Sequence, residues 1–327
     1  MGRGESEECG SRRHVWGLLC CVLVLWPAGR GCEPRAAHRP RVSDRGGTPI
    51  SEWTPADPTA CGGVQQGHLY NTQIAPFTVG PMALAGLTWY QGEEDTHDEA
   101  TARSYACVFP SLIKGWRANF HAPNLYFSFV QLSTWCAIPA MALAEMRDAQ
   151  MAALSLTNVA YATNADHGDG CAIHPKNKRP VGERLGNTAL ALVYNRSVAW
   201  KSPSYASQTA LSVGSETKVT VALVDATVLE ERPPSNARYA NASVCAAENA
   251  KVPFTCAWAA VELRGLGWLN ASVAVNASNL VLTVPAVGIV MGSAYGWGAI
   301  PMLTVYDHSS SLPVLPWNTS YIRGSWY

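Results

Sequence analysis

Charge is scarce in this sequence, and neither sign predominates. Charged residues make up 15% of the 327 residues, and 24 Lys and Arg balance 24 Asp and Glu, so the formal net charge at pH 7 is zero. Because the basic residues are scattered, they form no electrostatic footprint for a nucleic acid. Apolar residues reach 48%, which excludes a disordered chain. The composition therefore indicates a globular protein with one large domain or two modest ones.

No apolar run in the sequence is long enough to span a bilayer, which takes roughly 20 residues. The apolar run Val15–Trp26 follows Arg12-Arg13 and precedes small residues. That order is typical of a secretory signal peptide. We therefore predict a signal peptide over residues 1–31, with an uncleaved signal anchor as the alternative. The protein is expected to be secreted or lysosomal, with no membrane contact beyond this segment.

Cysteines and glycosylation sequons agree with export. Seven cysteines follow the apolar run, and they are compatible with one or more disulfides; Cys245–Cys256 is the most local candidate, but the sequence does not determine the pairing. Five Asn-x-Ser/Thr sequons occur, at Asn195, Asn241, Asn270, Asn276 and Asn318. Four of them lie after residue 240, which predicts that this half of the chain meets a glycosylating lumen.

Strand-like and helix-like segments alternate in the middle of the chain. Residues 32–67 show no apolar period and are predicted to be an irregular or disordered lead-in. Residues 68–195 alternate strand and helix over Met82–Trp89, Asp98–Trp116, Asn124–Leu132, Pro139–Leu154, Ser155–Thr163 and Pro175 to about Tyr194. This order predicts a parallel sheet covered on both faces. Residues 196–327 carry short β-branched runs and are predicted to be β-rich, either as a separate domain or packed back on the sheet.

A histidine and two acids lie in the glycine-rich stretch between the third strand and the third helix. His174 precedes Pro175, and Asp166 and Asp169 come just before it. A base of near-neutral pKa with a carboxylate to hold its tautomer is what a serine-type ester hydrolase needs. We predict His174 as the general base and Asp166 as its orienting partner, with Asp169 as the competitor.

Two other groupings of polar residues are candidates for a site. His167, Asp169, Cys171 and His174 could be metal ligands, but their spacing matches no usual zinc pattern, so no metal and no cofactor is predicted. Gln91-Gly92-Glu93 ends the first strand of the alternating region. Such a segment could offer a backbone N–H and a side-chain amide to a developing oxyanion, although taken alone it is more simply a turn with polar residues.

Several motifs occur here in the order found in sialate O-acetylesterases. They are LYNxxIAP from Leu69, GLTWYQGE from Gly86, YACVFPSLIKGW from Tyr105, FVQL from Phe129, MRDAQ from Met146 and IHPKNKxxVGxRL from Ile173. The chain resembles this family of SGNH-hydrolase carbohydrate esterases from about Leu69 to Tyr194. The resemblance implies a three-layer α/β/α, flavodoxin-like core and a Ser-His-Asp mechanism that removes acetyl groups from sugars such as sialic acid. It implies His174 as the base, Asp166 as its partner, and Gln91, Gly92 and Glu93 on the active-site rim.

The sequence departs from the family in two places. The family motif WYQGESN ends here in Glu94-Asp95, which places two carboxylates where an oxyanion should be stabilised. The family's nucleophile lies in a GQSN motif after the first strand, and this sequence has no such motif. Ser43 and Ser51 are the only upstream serines of the predicted mature region, and neither follows an apolar strand. The core is therefore predicted to be incomplete at its N-terminal strand.

The function predicted from the sequence is that of a sialate O-acetylesterase-like ester hydrolase. Its expected partner is an O-acetylated sialic acid or another acetylated carbohydrate. The missing serine leaves its catalytic competence in question. The alternative is a catalytically inactive glycan-binding or structural extracellular glycoprotein of the same fold.

Overall fold

The computed structural model describes residues 21–25, 41–80, 84–136, 139–168, 170–234, 245 and 256–320. Its first part is an α/β core of five strands and three helices. These are β1 (Cys21–Leu25), β2 (Arg41–Asp44), β3 (Gly86–Trp89), α1 (Glu99–Asn119), β4 (Tyr126–Gln131), α2 (Ala140–Met151), β5 (Val159–Thr163) and α3 (Arg179–Leu192).

The strands of the core form one sheet in the order β2-β1-β3-β4-β5. The pairs β3–β4 and β4–β5 are parallel. β1 is antiparallel to both β2 and β3, so β2 runs in the same direction as β3. Five residues of the predicted signal peptide thus occupy the place beside β3 where the sequence suggested a missing strand.

Helices cover both faces of this sheet, which confirms the predicted α/β fold. On one face, Phe109 and Trp116 of α1 pack edge-on against Phe127 and Phe129 of β4. On the other face, Thr188 of α3 hydrogen-bonds the hydroxyl of Tyr126, the first residue of β4. Successive β4 side chains point to opposite faces, so one fully buried strand serves both helix layers.

The boundaries of the helices follow local chemistry. Asp98 caps α1, since its carboxylate accepts the Thr101 N–H at 2.8 Å. The third helix begins at Arg179, with Pro180 in its first turn, and not at Pro175 as the sequence suggested. Pro175 is buried in the loop before the helix. A proline suits the first turn of a helix because its missing N–H has no partner there, and here the second proline takes that place.

The predicted lead-in contributes to the core, contrary to the sequence interpretation. Ile50 and Trp53 are 4% and 3% exposed and lie in the same hydrophobic cluster as the sheet. The Trp53 carbonyl accepts the indole N–H of Trp116 at 2.9 Å. A disulfide joins Cys61 to Cys107 of α1. Irregular backbone is thus fixed here by side-chain burial, which an apolar period does not reveal.

The second part of the chain is β-rich, as predicted. Its strands are β6 (Ser204–Val213), β7 (Glu216–Val224), β8 (Leu229–Glu231), β9 (Cys256–Ala257), β10 (Ala259–Leu263), β11 (Gly267–Asn276), β12 (Asn279–Val284), β13 (Val290–Tyr295), β14 (Ile300–Pro301), β15 (Val305–Asp307) and β16 (Trp317–Asn318). Seven of them form an antiparallel sheet in the order β16-β13-β10-β11-β12-β7-β6. The segment Trp297–Val305, one of the β-branched runs on which this prediction rested, is mostly buried loop and contains only the short strand β14 and the first residue of β15.

The β-rich part packs back on the α/β core, which answers the question the sequence left open. Arg147 of α2 is 2% exposed, and its guanidinium donates to the carbonyls of Leu132 and Ser133 in the core and of Gly298 and Ala299 in the β-rich part. Burial lowers the pKa of Arg147 to about 9, so it stays charged at neutral pH. One cation therefore holds the two parts together through four backbone acceptors.

In the described part of the chain, no helix is long and apolar enough to cross a membrane.

Candidate active site

The carboxyl ends of β3, β4 and β5 lie along one edge of the sheet. The register pairs Trp89 with Phe129 and Gln131 with Thr163, so the segments that follow these strands emerge side by side. Neighbouring strands are about 4.8 Å apart, which places the outer two of these three ends roughly 10 Å from each other. This edge is where open α/β sheets bind their ligands.

The side chain of Gln91, predicted to lie on the active-site rim, is engaged inside the protein. Its amide N–H groups donate to Asp95 Oδ2 at 2.6 Å and to the Thr48 carbonyl at 3.1 Å. Its carbonyl accepts the Tyr105 hydroxyl at 2.9 Å. The side chain is 7% exposed. Gln91 therefore fixes the turn after β3, and its amide is occupied by these contacts.

Gly92 holds a backbone conformation that favours glycine. Its φ is 130°, in the range that residues with a Cβ rarely adopt. A Cβ would also lie 3.3–3.4 Å from Gln150 Nε2, Leu132 Cδ1 and Met146 Sδ. The Gln150 side-chain amide in turn donates to the backbone carbonyl of Gln91 at 3.2 Å. The MRDAQ motif, which contains Met146 and Gln150, thus packs against the Gln91-Gly92 turn.

Two acids after this turn have raised pKa values. Burial raises the pKa of Glu93 to about 7, although the nearby Lys178 favours the ionised form. Burial likewise raises the pKa of Asp95 to about 6, against hydrogen bonds from Gln91 and from the Ile50 N–H, which lies 2.9 Å from Oδ2. Asp95 is 5% exposed. The carboxylate that replaces the family's amide is therefore an internal group, in contact with the segment before Trp53.

The loop that carries His174 reaches the turn after β3. Lys178, four residues after His174, places its ammonium 5.0 Å from the centre of the Tyr90 ring. The Tyr90 hydroxyl accepts the side-chain N–H of Asn164, which follows β5 directly, at 3.3 Å. The WYQGE and IHPKNK segments, far apart in the sequence, therefore meet at the carboxyl edge of the sheet. His174 itself is exposed.

Asp166 is held by an arginine. Arg184 of α3 binds both carboxylate oxygens, at 2.6 and 2.8 Å, and also donates to the Thr163 carbonyl. His167 Nδ1 lies 3.0 Å from Asp166 Oδ1, and the Tyr306 hydroxyl donates at 3.3 Å. Burial alone would raise the pKa of Asp166, but the adjacent Arg184 guanidinium holds it well below its usual range. The pairing of Asp166 with His174 stays a prediction, and Asp169 lies outside the described residues.

A disulfide and two buried polar atoms that have no hydrogen-bond partner among the described residues also lie at this edge. Cys171, three residues before His174, is bonded to Cys136 in the segment after β4, so it is not a thiolate, and the alternative metal set loses a ligand. Within the described ranges, no three His, Cys, Asp or Glu side chains group so as to hold a metal ion. Thr134 Oγ1 and Asn164 Oδ1 are buried without a hydrogen-bond partner among the described residues. Buried polar atoms are normally satisfied, so these two are candidates for contacts with water or a ligand.

A cavity of about 410 Å³ lies beside this edge, between α3 and the β-rich part. Asp166, His167 and Arg184 line it from the core, and Arg232 and Tyr306 line it from the other side. This cavity could not be predicted from the sequence, because its walls come from segments as far as 140 residues apart, such as those of Asp166 and Tyr306.

Neither upstream serine stands where a nucleophile is expected. Ser43 lies within β2, and its hydroxyl is 3.4 Å from the Gln73 carbonyl. Ser51 is exposed in the single 3-10 turn Ile50–Trp53. An esterase serine of this kind sits on a sharp turn between a strand and a helix. The sequence interpretation also missed the loop at Thr48, whose backbone carbonyl accepts the Gln91 amide and whose Gly46-Gly47-Thr48-Pro49 sequence is a recognisable turn signal.

Comparisons with known proteins agree with this architecture. A family model described as carbohydrate esterase, sialic acid-specific acetylesterase, matches residues 42–191. Sialate O-acetylesterase of Rattus norvegicus is 31% identical over 187 residues, 51% of this chain and 32% of that protein. The Pongo abelii protein of that name is 27% identical over 316 residues, 84% of this chain and 56% of its own length.

A solved structure shares both parts of the fold. A carbohydrate acetylesterase from Xanthomonas citri aligns with a TM-score of 0.65 and 25% identity, over 84% of this chain and 59% of that one. The chain spans between about a third and just over half of the length of the curated relatives it matches. The family match begins at Val42, which includes most of the presumed lead-in and the Thr48 loop. The motifs, the sheet and these likenesses together show that residues 42–191 of the chain belong to the sialic acid-specific acetylesterase family of carbohydrate esterases.

Proposed function

We propose that the carboxyl edge of the α/β sheet binds O-acetylated carbohydrate, with O-acetylated sialic acids as the foremost candidates. Full hydrolysis by a Ser-His-Asp mechanism would use His174 as the base, Asp166 or Asp169 as its partner, and the Gly92 turn for the oxyanion. The observation that carries the proposal is the contact between Lys178 and Tyr90. It brings the His174 loop and the Gln91-Gly92-Glu93 segment to one edge.

The buried polar atoms at this edge support a ligand-binding role. Thr134 Oγ1 and Asn164 Oδ1 lie just after β4 and β5 and have no hydrogen-bond partner among the described residues. A carbohydrate hydroxyl or an ordered water is a suitable partner for either atom. The cost of leaving such groups unsatisfied is about 1–3 kcal/mol each, which favours occupancy of the edge.

The sequence lacks a serine in the position that a Ser-His-Asp mechanism requires for its nucleophile. Neither Ser43 nor Ser51 stands on a strand-to-helix turn, and without a serine His174 has only water to deprotonate. Removal of triad members leaves only the residual catalysis of oxyanion and binding contacts. These observations favour the second candidate function, that of an inactive glycan-binding member of the family.

Hydrolysis of p-nitrophenyl acetate separates the two candidates. We expect the chain to turn over this ester at the background rate of its His174→Ala variant. His68→Ala serves as the matched control, because His68 is also exposed but belongs neither to the His174 loop nor to the Gln91-Gly92-Glu93 segment. A rate for the unmodified chain a hundredfold above that of the His174→Ala variant, with His68→Ala unaffected, would show that a nucleophile is present.

Calorimetric titration tests the binding function. O-acetylated sialosides should give a binding signal that de-O-acetylated sialosides of the same structure do not. A Lys178→Met variant should weaken the signal, because it removes the cation that joins the His174 loop to Tyr90. The absence of a binding signal for both sialosides would refute the binding proposal and leave a structural role for the fold.

The proposed division of the chain follows the sequence with one change. We propose a leader over residues 1–31, an esterase-type domain that ends near residue 195, and a β-rich region over 196–327. The domain begins near residue 42, earlier than residue 68, because the Thr48 loop supports the Gln91 turn. Removal of the leader would take away β1 and leave β3 with an open edge, which is a site for pairing with another chain. N-terminal sequencing of the exported protein tests this division.

Passage through the secretory pathway is also proposed. Three disulfides join Cys61 to Cys107, Cys136 to Cys171 and Cys245 to Cys256. Structural disulfides persist in oxidising compartments and are rare in the cytosol. The last pair is the one that the sequence spacing favoured. Together with the leader, the disulfides support a secreted or lysosomal glycoprotein.

A further inference from the structure

The structure separates the glycosylation sequons into two classes. Asn195, Asn270 and Asn276 are exposed, whereas Asn318 is 7% exposed. Asn241 lies outside the described residues. A glycan needs an acceptor side chain whose amide nitrogen points to solvent, because the attached sugar is bulky and strongly hydrated. Burial therefore distinguishes sequons that the sequence pattern treats as equal.

Two of the exposed sequons share one face of the seven-stranded sheet. Asn270 and Asn276 lie six residues apart on β11, so their side chains project to the same side, about 20 Å apart. Along β11, residues on this side are exposed and those on the other side are half-buried. Asn276 pairs across the sheet with Asn279 of β12. This solvent-facing side is thus open to substituents on both asparagines.

The hydroxyl group that each sequon requires comes from β11 for Asn270 and from the turn after β11 for Asn276. Ser272 and Ser278 stand two residues after Asn270 and Asn276, and Ser272 is itself exposed on this side of β11. The hydroxyl of Ser272 makes only a long contact, 3.4 Å, with the Thr283 carbonyl. Exposed apolar side chains also occur at this side, such as Trp268, which is 40% exposed. Hydrated sugars next to it would keep it from associating with other molecules.

Asn318 has a different environment. Its Oδ1 accepts the backbone N–H of Ser320 at 2.9 Å within its own sequon, and it lies in β16, paired with β13. The intervening Thr319 hydroxyl accepts the N–H of Ser293 at 2.9 Å. Both the asparagine and its neighbour are thus used by the fold. Because Asn318 is only 7% exposed, a sugar attached to its side-chain nitrogen would have to enter the protein.

We propose that Asn195, Asn270 and Asn276 carry N-linked glycans and that Asn318 does not, so that the outer face of the seven-stranded sheet is a glycan-bearing surface. In the reaction, the asparagine side-chain nitrogen bonds to the anomeric carbon of a lipid-pyrophosphate-linked oligosaccharide. The bond from that carbon to the pyrophosphate oxygen breaks, the lipid pyrophosphate leaves with the electron pair, and one amide proton passes to a base. This inference rests on the secretory part of the proposed function, not on esterase activity.

Translation of the full chain in the presence of endoplasmic-reticulum microsomes tests both parts separately. Protease protection reports entry into the lumen, and digestion with an amidase that converts glycosylated Asn to Asp in heavy-oxygen water marks each occupied site for peptide mass spectrometry. We expect protected chains that are labelled at Asn195, Asn270 and Asn276 and unlabelled at Asn318. Protected chains without label at Asn270 and Asn276, or with Asn318 labelled as fully as they are, would overturn the site assignment. Absence of protected chains would overturn its secretory premise instead.

Paired variants exclude an effect of misfolding. Ser272→Ala removes the sequon of Asn270 without changing the asparagine, and Ser272→Thr keeps it. The alanine variant should migrate faster on a gel by the shift that one glycan produces, and the threonine variant should migrate like the unmodified chain. The same mobility for both variants and the unmodified chain would refute glycosylation at Asn270.

Discussion

Replacement of Asp95 by asparagine should stabilise this protein, and the gain should depend on pH. Asp95 is 5% exposed, and its Oδ2 accepts the Ile50 N–H and the Gln91 amide at 2.9 and 2.6 Å. An asparagine carbonyl can accept the same two bonds without a buried charge. Asparagine is also the residue found at this place in the family motif that the sequence resembles.

The size of the gain follows from the pKa of Asp95. Burial raises this pKa from 3.8 to about 6, so ionisation is easier in the unfolded chain than in the folded one. Stability is therefore lost as the pH rises from about 4 to about 6 and stays level above that. A shift of roughly two pH units corresponds to about 3 kcal/mol. Asp95→Asn removes this loss, so the variant should gain about 3 kcal/mol at pH 7.5 and about 0.5 kcal/mol at pH 4.

Urea unfolding at several pH values between 4 and 8, with the disulfides intact, measures the effect. Asp98→Asn is the matched control, because it removes an exposed carboxylate three residues away whose pKa is lowered by its bonds to Thr101, and because asparagine also caps helices well. That control should show no gain that grows with pH. An Asp95→Asn gain that is equal at pH 4 and pH 7.5, or a loss at pH 7.5, would refute the assignment of Asp95 as a buried acid that resists ionisation.

Three further changes test the contacts that surround the edge. Asp166→Asn should cost about 3–5 kcal/mol at pH 7, because it leaves the Arg184 charge buried without its counterion. Since the pKa of Asp166 is lowered, the difference from the unmodified chain should begin to shrink as the pH falls below about 4 and should go on shrinking toward the lowered pKa. Arg147→Met should lower the free energy of unfolding by several kcal/mol, since it leaves four buried carbonyls without a donor at about 1–3 kcal/mol each. Amide hydrogen exchange should become faster at Gly298 and Ala299. Unchanged exchange there would contradict the proposed link between α2 and the β-rich part. Removal of the Cys136–Cys171 disulfide by alanine at both positions should cost about 3–4 kcal/mol of stability for a sequence separation of 35 residues. It should also speed amide hydrogen exchange across the His174 loop. Faster exchange confined to other loops would show that the disulfide does not position the His174 loop.

The alternation of strands and helices could be predicted from the sequence because it depends on local patterns. Asn124–Leu132 is aromatic and β-branched and became β4, and Pro139–Leu154 is rich in helix formers and became α2 with a final 3-10 turn. The family motifs fixed the architecture for the same reason, since each is a short local pattern. Element ends were less certain. Pro175 and Pro180 are equally good openings for a helix by local rules, and burial of Pro175 decided between them.

The partners of the buried charges were decided only by the tertiary structure. Nothing near Asp166 in the sequence indicates that Arg184, on the next helix, would bind both of its oxygens. Likewise Arg147 gives no local sign that it joins α2 to the β-rich part. Long-range electrostatic and hydrogen-bond partners depend on which surfaces meet after folding, and a one-dimensional pattern carries no record of that.

The sequence by itself determined the fold class, the family motifs, the disulfide-bearing character and the place of the candidate site along the chain. The tertiary structure decided that Ile50 and Trp53 belong to the core, that the Thr48 carbonyl accepts the Gln91 amide, and that Lys178 joins the His174 loop to Tyr90. The physical reason is the range of the forces involved. Propensity and periodicity act over a few residues, whereas burial and charge pairing act between segments that only the folded chain brings together.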